Sequence, residues 1–229
     1  MWKHFARLFV ANDCLGCERM LTSQEQFLCL QCLSQMEETH FHESWQENEL
    51  YYRLAGRVPL SGAASLFYFD KGGRLQRVIQ QLKYQSMPQV GTYLGKYYGN
   101  RLQGSGSLPS VDAIVPVPLH ARRLRQRGYN QAEQIARGLG KVLEIPVQAQ
   151  LLKRKRHTAK QAQKAGTQRW ENVAGAFQAA KQIPRSVLLV DDVITMGATM
   201  GACLEALFAA EQPPKEVYVL SVGMTRKSG

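Results

Sequence analysis

Four cysteines, Cys14, Cys17, Cys29 and Cys32, form two Cys-x-x-Cys pairs separated by eleven residues. Each pair can place two thiolates on one ion, and the two together complete a tetrahedral four-cysteine set. Soft thiolates suit zinc, and four protein ligands leave no open position for water chemistry, so the expected role is structural. A segment below about 40 residues buries too little surface to fold alone, so metal binding would supply its folding free energy. A redox dithiol pair is the alternative use of the same spacing. Clustering of four of the five cysteines, in a chain read as lacking a secretion signal, points to metal rather than disulfides. The fifth, Cys203, stands alone and reads as a small buried apolar residue.

The second chemical constellation is the run from Val187 to Thr199, in which an apolar stretch delivers Asp191 and Asp192 and then a small polar turn, Thr195-Met196-Gly197-Ala198-Thr199. In open α/β sheets ligands bind at the carboxyl ends of such strands. The turn can wrap a phosphate with backbone N–H groups, aided by the dipole of the following helix and by the hydroxyls of Thr195 and Thr199. Gly197 permits a close approach that a side chain would block. Two acids repel a phosphate, so their useful target is a hydroxylated group beside it, and a ribose diol fits. Two rival motifs fail on spacing. A haloacid-dehalogenase phosphatase needs a second Asp two residues on, where Val193 stands, and the nearest Walker-like stretch, Gly91 to Lys96, lacks the spacing and the following Ser or Thr.

This motif resembles the signature of the type I phosphoribosyltransferases. By that resemblance Asp191 and Asp192 hold the ribose of phosphoribosyl pyrophosphate. Thr195, Gly197 and Thr199 hold its 5-phosphate, with Met196 and Ala198 in the same turn. Many relatives have threonine where this chain has Met196, which removes one hydroxyl and keeps the backbone donor. Thr195 stands where some purine-specific relatives carry an aspartate acting on the base, so the acceptor stays open. Val115-Pro-Val-Pro-Leu119-His120, followed by Arg122, Arg123, Arg125, Arg127 and Gly128 to Gln131, resembles the competence protein ComF family. So does the run Arg154, Arg156, Thr158, Gln161, Arg169, Asn172 and Phe177.

That resemblance implies an α/β fold: a parallel-sheet, type I phosphoribosyltransferase-like domain over residues 58–229, preceded by a zinc-binding knuckle domain over 1–36 and a linker over 37–57. It implies phosphoribosyl pyrophosphate with Mg2+ as ligand, and single-stranded DNA and a DNA-uptake helicase as partners in natural competence. His120, Arg122 and Arg127 are the candidates for the pyrophosphate, because planar guanidinium forks bind oxygen pairs. Arg154, Arg156, Gln161 and Arg169 are the candidates for a hood loop closing over substrate. A solvated basic loop has the same composition. A phosphoribosyltransferase of unknown acceptor is one functional reading; a non-catalytic nucleotide sensor, single-stranded nucleic-acid-binding protein or scaffold is the other.

The elements that must position these groups alternate along the chain. Ala64–Phe69, Ala113–Val117, Ser186–Val190 and Val217–Val222 read as strands, and Pro146–Leu152 as a weaker one. Helical stripes fall at Leu75, Val78, Ile79 and Leu82, at Val90 to Tyr98, at Ala132 to Leu143 behind a cap at Asn130, and at Met200 to Phe208. Strands alternating with helices predict a parallel sheet covered on both faces. The polar stretch Glu37 to Glu49 has no period, and its His40 and His42 receive no role.

At 229 residues, 45% hydrophobic and 21% charged, the chain is long enough for one full domain and a small appendage and too apolar for disorder. Its 29 Lys and Arg against 18 Asp and Glu give +11, which favours an anionic partner: nucleic acid, a phosphorylated small molecule or an anionic membrane face. No apolar stretch approaches the ~18 residues of a membrane span, so the expectation is a cytoplasmic, uncleaved protein without a membrane span.

Overall fold

A computed structural model describes residues 13–56, 58–155 and 175–226 of the chain. In chain order these hold α1 (Leu30–Ser34), α2 (Glu49–Ala55), β1 (Gly62–Tyr68), α3 (Arg74–Tyr84), α4 (Pro88–Ser105), β2 (Ala113–Pro116), α5 (Ala121–Arg127) and α6 (Gln131–Leu143). There follow β3 (Leu152–Arg154), β4 (Phe177–Ala179), β5 (Ser186–Ile194), α7 (Ala198–Phe208) and β6 (Glu216–Met224).

The expected strands pair into a four-stranded sheet of order β1-β6-β5-β2, parallel throughout, with Ala113 beside Val187 and Gly62 beside Tyr218. Side chains alternate across it, as the pleat requires. Ile114, Leu188, Val190, Leu220 and Val222 join the core beneath α3, α4 and α6. Ala113, Val115, Val187, Leu189, Val217 and Val219 join the core beneath α2 and α7. The sheet is therefore covered on both faces, which is why its strands read as continuous apolar runs.

Two elements differ from expectation. β5 continues past Val190 to Ile194, so both acids lie inside the paired strand, with Asp191 opposite Ser221. The Pro146–Leu152 stretch is not a full strand. Ile114 N donates to Pro146 O and Gln148 N to Ile114 O, each at 2.9 Å, and the chain then turns through a 3₁₀ segment, Ala149–Leu151. Proline has no N–H to contribute to a ladder, which keeps this contact at the sheet edge short. Beyond the turn the chain enters a separate antiparallel pair, with Arg154 in β3 opposite Phe177 in β4.

α6, which follows β2, and α7, which follows β5, lie on opposite faces of the sheet. That reversal opens a crevice at the carboxyl ends of β2 and β5, the topological switch point where α/β sheets bind ligands. Backbone contact between α4 and α6 fixes one wall of it. A Cβ on Gly95 would lie 2.1 Å from Ile135 O, and one on Gly138 would lie 2.2 Å from Thr92 O.

Residues 37–56, read as a linker and aperiodic from Glu37 to Glu49, hold a bridge between Glu38 and Phe67, a 3₁₀ turn at Phe41–Glu43, and α2. The cysteine-bearing segment packs on the same core: Phe27 meets Tyr93 edge-on at 5.5 Å, and Arg77 Nη1 donates to Gly16 O at 3.0 Å. Among the described residues no helix is long and apolar enough to cross a membrane.

The α4–α6 contact generates a paired prediction. Gly95→Val should destabilise the chain by about 1–3 kcal/mol or more, through overpacking. Gly104→Ala, on the same helix with nothing within 4 Å of its added Cβ, should stabilise it by about 0.5–1 kcal/mol. Thermal denaturation of the two variants beside the unaltered chain checks both.

Candidate functional site

The crevice consists of two adjoining cavities that share Asp191, Val193 and Thr199. One, of about 210 Å3, is lined by Asp191 and the stretch from Val193 to Met200, so every residue of the expected phosphate turn belongs to it. Thr195 and Met196 are exposed, Gly197 is buried, and Ala198 and Thr199 are half-buried. Gly197 has φ +80° and caps α7, a left-handed conformation that L side chains adopt only with strain. The turn thus opens directly onto the N-terminus of an eleven-residue helix, whose unpaired N–H groups favour negative charge.

The other cavity, of about 200 Å3, lies between the end of β2 and the acid pair. Among the described residues its cationic lining is Lys83, Arg123, Arg127 and Arg154. Of the expected pyrophosphate residues, Arg127 lies on this wall, donating to Gln131 Oε1 at 2.8 Å with its guanidinium 5.2 Å from the Tyr84 ring centre. His120 and Arg122 are not among the lining residues. His120 is spent as the N-cap of α5, where its Nδ1 accepts from Arg122 N at 3.2 Å. Arg154 projects from β3 with its guanidinium 5.2 Å from the Phe177 ring centre. The other hood-loop candidates, Arg156, Gln161 and Arg169, lie outside the described residues. Asn130 orients this wall, its Oδ1 accepting from Ala132 N and its Nδ2 donating to Val117 O.

Successive residues of a strand point to opposite faces, so the two acids meet different neighbours. Asp192 is buried and pairs with Lys83, Oδ2 to Nζ 2.7 Å. Asp191 accepts from Asp192 N at 2.8 Å. Loss of hydration, reinforced by the charge of Asp192, pushes the Asp191 carboxyl up to about 7, against the pull of the Asp192 amide, Lys83 and Arg154. Burial also depresses Arg154, and the charge of Arg123 adds to that effect. Cys203 is buried, and loss of hydration keeps its thiol protonated.

Lys83 and Arg123 are not distinguished by sequence. Lys83 follows the last apolar residue of the α3 stripe and reads as a solvated helix end, while Arg123 is one of four arginines between 122 and 127 and is not one of the two named for the pyrophosphate. Only the meeting of α3 and α5 with the carboxyl-terminal part of β5 singles them out.

At the other pole, the sulfurs of Cys14, Cys17, Cys29 and Cys32 all lie within 4.8 Å of one another, a set that could hold a metal ion. Cys17 Sγ and Cys29 Sγ are 3.8 Å apart. Burial works against a Cys29 thiolate, but hydrogen bonds from Arg19, the Cys32 amide and Cys14 outweigh it and bring the thiol down to about 6. Burial and the neighbouring cysteines push Cys32 upward. His40 is exposed and faces Glu43, whereas His42 is buried against Tyr98.

Fold and site together define an α/β protein with a doubly covered parallel sheet, an acid pair at its switch point and a four-cysteine cluster near its N-terminus. In sequence the chain is similar to competence protein F of Haemophilus influenzae, 36% identical over 133 residues, which are 55% of this chain and 58% of that protein. It is also similar to the DNA utilization protein YhgH of Escherichia coli, 28% identical over 158 residues, 66% of this chain and 68% of that one. The YhgH of Salmonella typhi is 28% identical over 150 residues, covering 64% and 66%. These matches bear out the resemblance to the competence protein ComF family. The match spans less than two thirds of competence protein F. No protein-family model matches the chain. Among solved structures, adenine phosphoribosyltransferase from Leishmania donovani is 14% identical, covering 69% of this chain and 83% of that one with a TM-score of 0.36. The Leishmania tarentolae enzyme is 14% identical, covering 78% and 88% with a TM-score of 0.33.

The raised Asp191 carboxyl has a pH signature. Between about pH 4 and pH 7 the folded chain holds a proton on Asp191 that the unfolded chain has released, so ionisation costs stability as pH rises through that window. Asp191→Asn retains the acceptor for Asp192 N. It should be more stable than the unaltered chain at pH 8, on the order of 1–2 kcal/mol after discounting for solvent, with the gap closing toward pH 4. Melting temperatures across pH 4–8 check it.

Proposed function

We propose that the crevice binds phosphoribosyl pyrophosphate with Mg2+, and that the chain is a ComF-type phosphoribosyltransferase-domain protein serving DNA uptake. The observation that carries this reading is the acid pair between two connected cavities, one lined by a phosphate-type turn and the other by four cations. A ribose with phosphate at one end and pyrophosphate at the other has that order of charge. Asp191 and Asp192 accept from the ribose hydroxyls, and Thr195 to Thr199 donate to the 5-phosphate. Lys83, Arg123, Arg127 and Arg154 face the pyrophosphate, with His120 and Arg122 at the margin. Arg156, Gln161 and Arg169 complete the proposed hood.

The fit to Mg2+ rests on hard oxygen donors: the carboxylates of Asp191 and Asp192 would hold the ion together with oxygens of the bound ligand. Bound there, the ion would supply charge neutralisation to the pyrophosphate. Transfer breaks the bond from the anomeric carbon to pyrophosphate, which leaves with the electron pair. An acceptor nucleophile then attacks the oxocarbenium-like carbon, as in glycoside cleavage. The chain's own cations stabilise the leaving group, and the Asp191 carboxylate, in its charged form, faces the developing positive charge.

Thermal melts with phosphoribosyl pyrophosphate and Mg2+ test the pocket, since a ligand bound only by the folded chain raises its stability, by about 2.7 kcal/mol at a hundredfold excess over Kd. The upward shift should vanish in the Asp191→Asn, Asp192→Asn double variant. A shift that survives it would place the ligand elsewhere.

For the N-terminal unit, over 1–36 with a linker to 57, we propose one structural zinc on Cys14, Cys17, Cys29 and Cys32. The 3.8 Å sulfur separation fits the edge of a tetrahedron with Zn–S bonds of about 2.3 Å. One zinc per chain is the expected result of metal analysis, with metal loss and a lowered melting temperature in Cys14→Ser. Metal content unchanged by that substitution would overturn the assignment.

The names competence protein F and DNA utilization protein support a role in handling incoming DNA. Arg122 and Arg125 are exposed on α5 outside the cavity lining and suit the phosphates of a single strand. A DNA-uptake helicase is the proposed protein partner.

A further inference from the structure

A turn that presents its N–H groups to a phosphate must hold its carbonyls away from it. Three carbonyls at the β5–α7 turn are anchored. Ile194 O accepts from Thr225 N at 3.1 Å, Gly197 O accepts from Gly201 N at 2.8 Å, and Thr195 O accepts from Arg53 Nη1 at 2.6 Å. The first two anchors are main chain. The third is a side chain from a helix far away in sequence.

Arg53 is aimed by a chain of local causes. Asn48 caps α2 by accepting from Tyr51 N at 2.9 Å, and its Nδ2 donates to Ala63 O at 2.8 Å, fastening the helix to β1. Leu50 and Leu54 then bury beneath that helix. On its other side Glu49, one turn before Arg53, accepts from Arg53 Nη2 at 2.5 Å. The guanidinium is planar, so fixing one nitrogen on Glu49 directs the other at the Thr195 carbonyl. The Arg53 side chain is 14% exposed, which limits its freedom further.

We propose that Arg53 is a positioning residue for the 5-phosphate. It holds the Thr195 carbonyl outward and so keeps the turn's N–H groups facing the cavity. This role rests on the turn being a phosphate site. It also makes the stretch between the cysteine unit and β1 a working part of the pocket: a fragment beginning at residue 58 would lack the anchor.

The experiment uses the full chain and three probes: ribose 5-phosphate, inorganic pyrophosphate and phosphoribosyl pyrophosphate with Mg2+. Arg53→Gln should weaken ribose 5-phosphate binding about tenfold and leave pyrophosphate binding unchanged, since the cationic wall is untouched. A merely structural loss would weaken both. Amide hydrogen exchange in the unliganded chain should rise across 195–200 and stay unchanged in β6. Arg53→Lys keeps the charge without the fork, so exchange should stay elevated and ribose 5-phosphate affinity stay low; full recovery would show that charge alone suffices and overturn the proposal. Unchanged exchange and unchanged affinity in Arg53→Gln would overturn it as well. If the unaltered chain binds neither ribose 5-phosphate nor phosphoribosyl pyrophosphate, the reading of the pocket fails, while the exchange comparison still decides whether Arg53 holds the turn.

Discussion

Two adjacent carboxylates near the end of a strand covered on both faces are the constraint around which this molecule is arranged. Each loses hydration there, and like charges on neighbouring residues add to the cost. The pleat eases the conflict by sending them to opposite faces, so that Asp192 reaches Lys83 on α3 while Asp191 faces Arg154 and α7. The cations that make the pair tolerable are the same groups that line the adjoining cavity. Stability and anion binding thus depend on one set of charges.

The surrounding architecture serves that arrangement. β2 stops at Pro116 beside Val190 while β5 runs on to Ile194, so their parallel register leaves the acid pair just beyond the end of β2, at the crevice. α6 approaches so closely to α4 that glycines occupy the contact, which holds Asn130 and Gln131 at the crevice rim. The hairpin of β3 and β4 brings Arg154 across from the other face.

Much of this is legible in the residues. Strand and helix periods are local properties, so the sheet, its covering and the residues before and after each turn can be read directly. The acid pair, the glycine turn and the cysteine spacing are legible because their chemistry is encoded within a few positions. Arg53 and Lys83 are not, because each lies on an ordinary helical face and acquires meaning only from what the topology places opposite it. His120 has a second use that its residue type does not announce: its Nδ1 caps α5, which only the backbone geometry reveals. Residue types alone end β5 at Val190, because acids are poor strand formers in isolation, whereas pairing with β6 carries the strand four residues further, to Ile194.

The outer strand β1 pairs with β6 alone within the sheet, Gly62 lying beside Tyr218 and Tyr68 beside Met224. During synthesis at about 5–20 residues per second, β1 leaves the ribosome many seconds before its partner exists. The four cysteine sulfurs are under no such delay, since they come together within the stretch from Cys14 to Cys32, whereas the contacts of Gly16 with Arg77 and of Phe27 with Tyr93 wait for α3 and α4. The edge of β1 that takes β6 therefore stays unpaired until the last strand arrives. The segment from Glu37 to Asn48 lies against the other edge of β1, with Thr39 N donating to Leu66 O and Tyr68 N donating to Glu37 O. Chain made just before β1 thus covers its outer edge, and the inner edge is closed only by the last strand of the sheet.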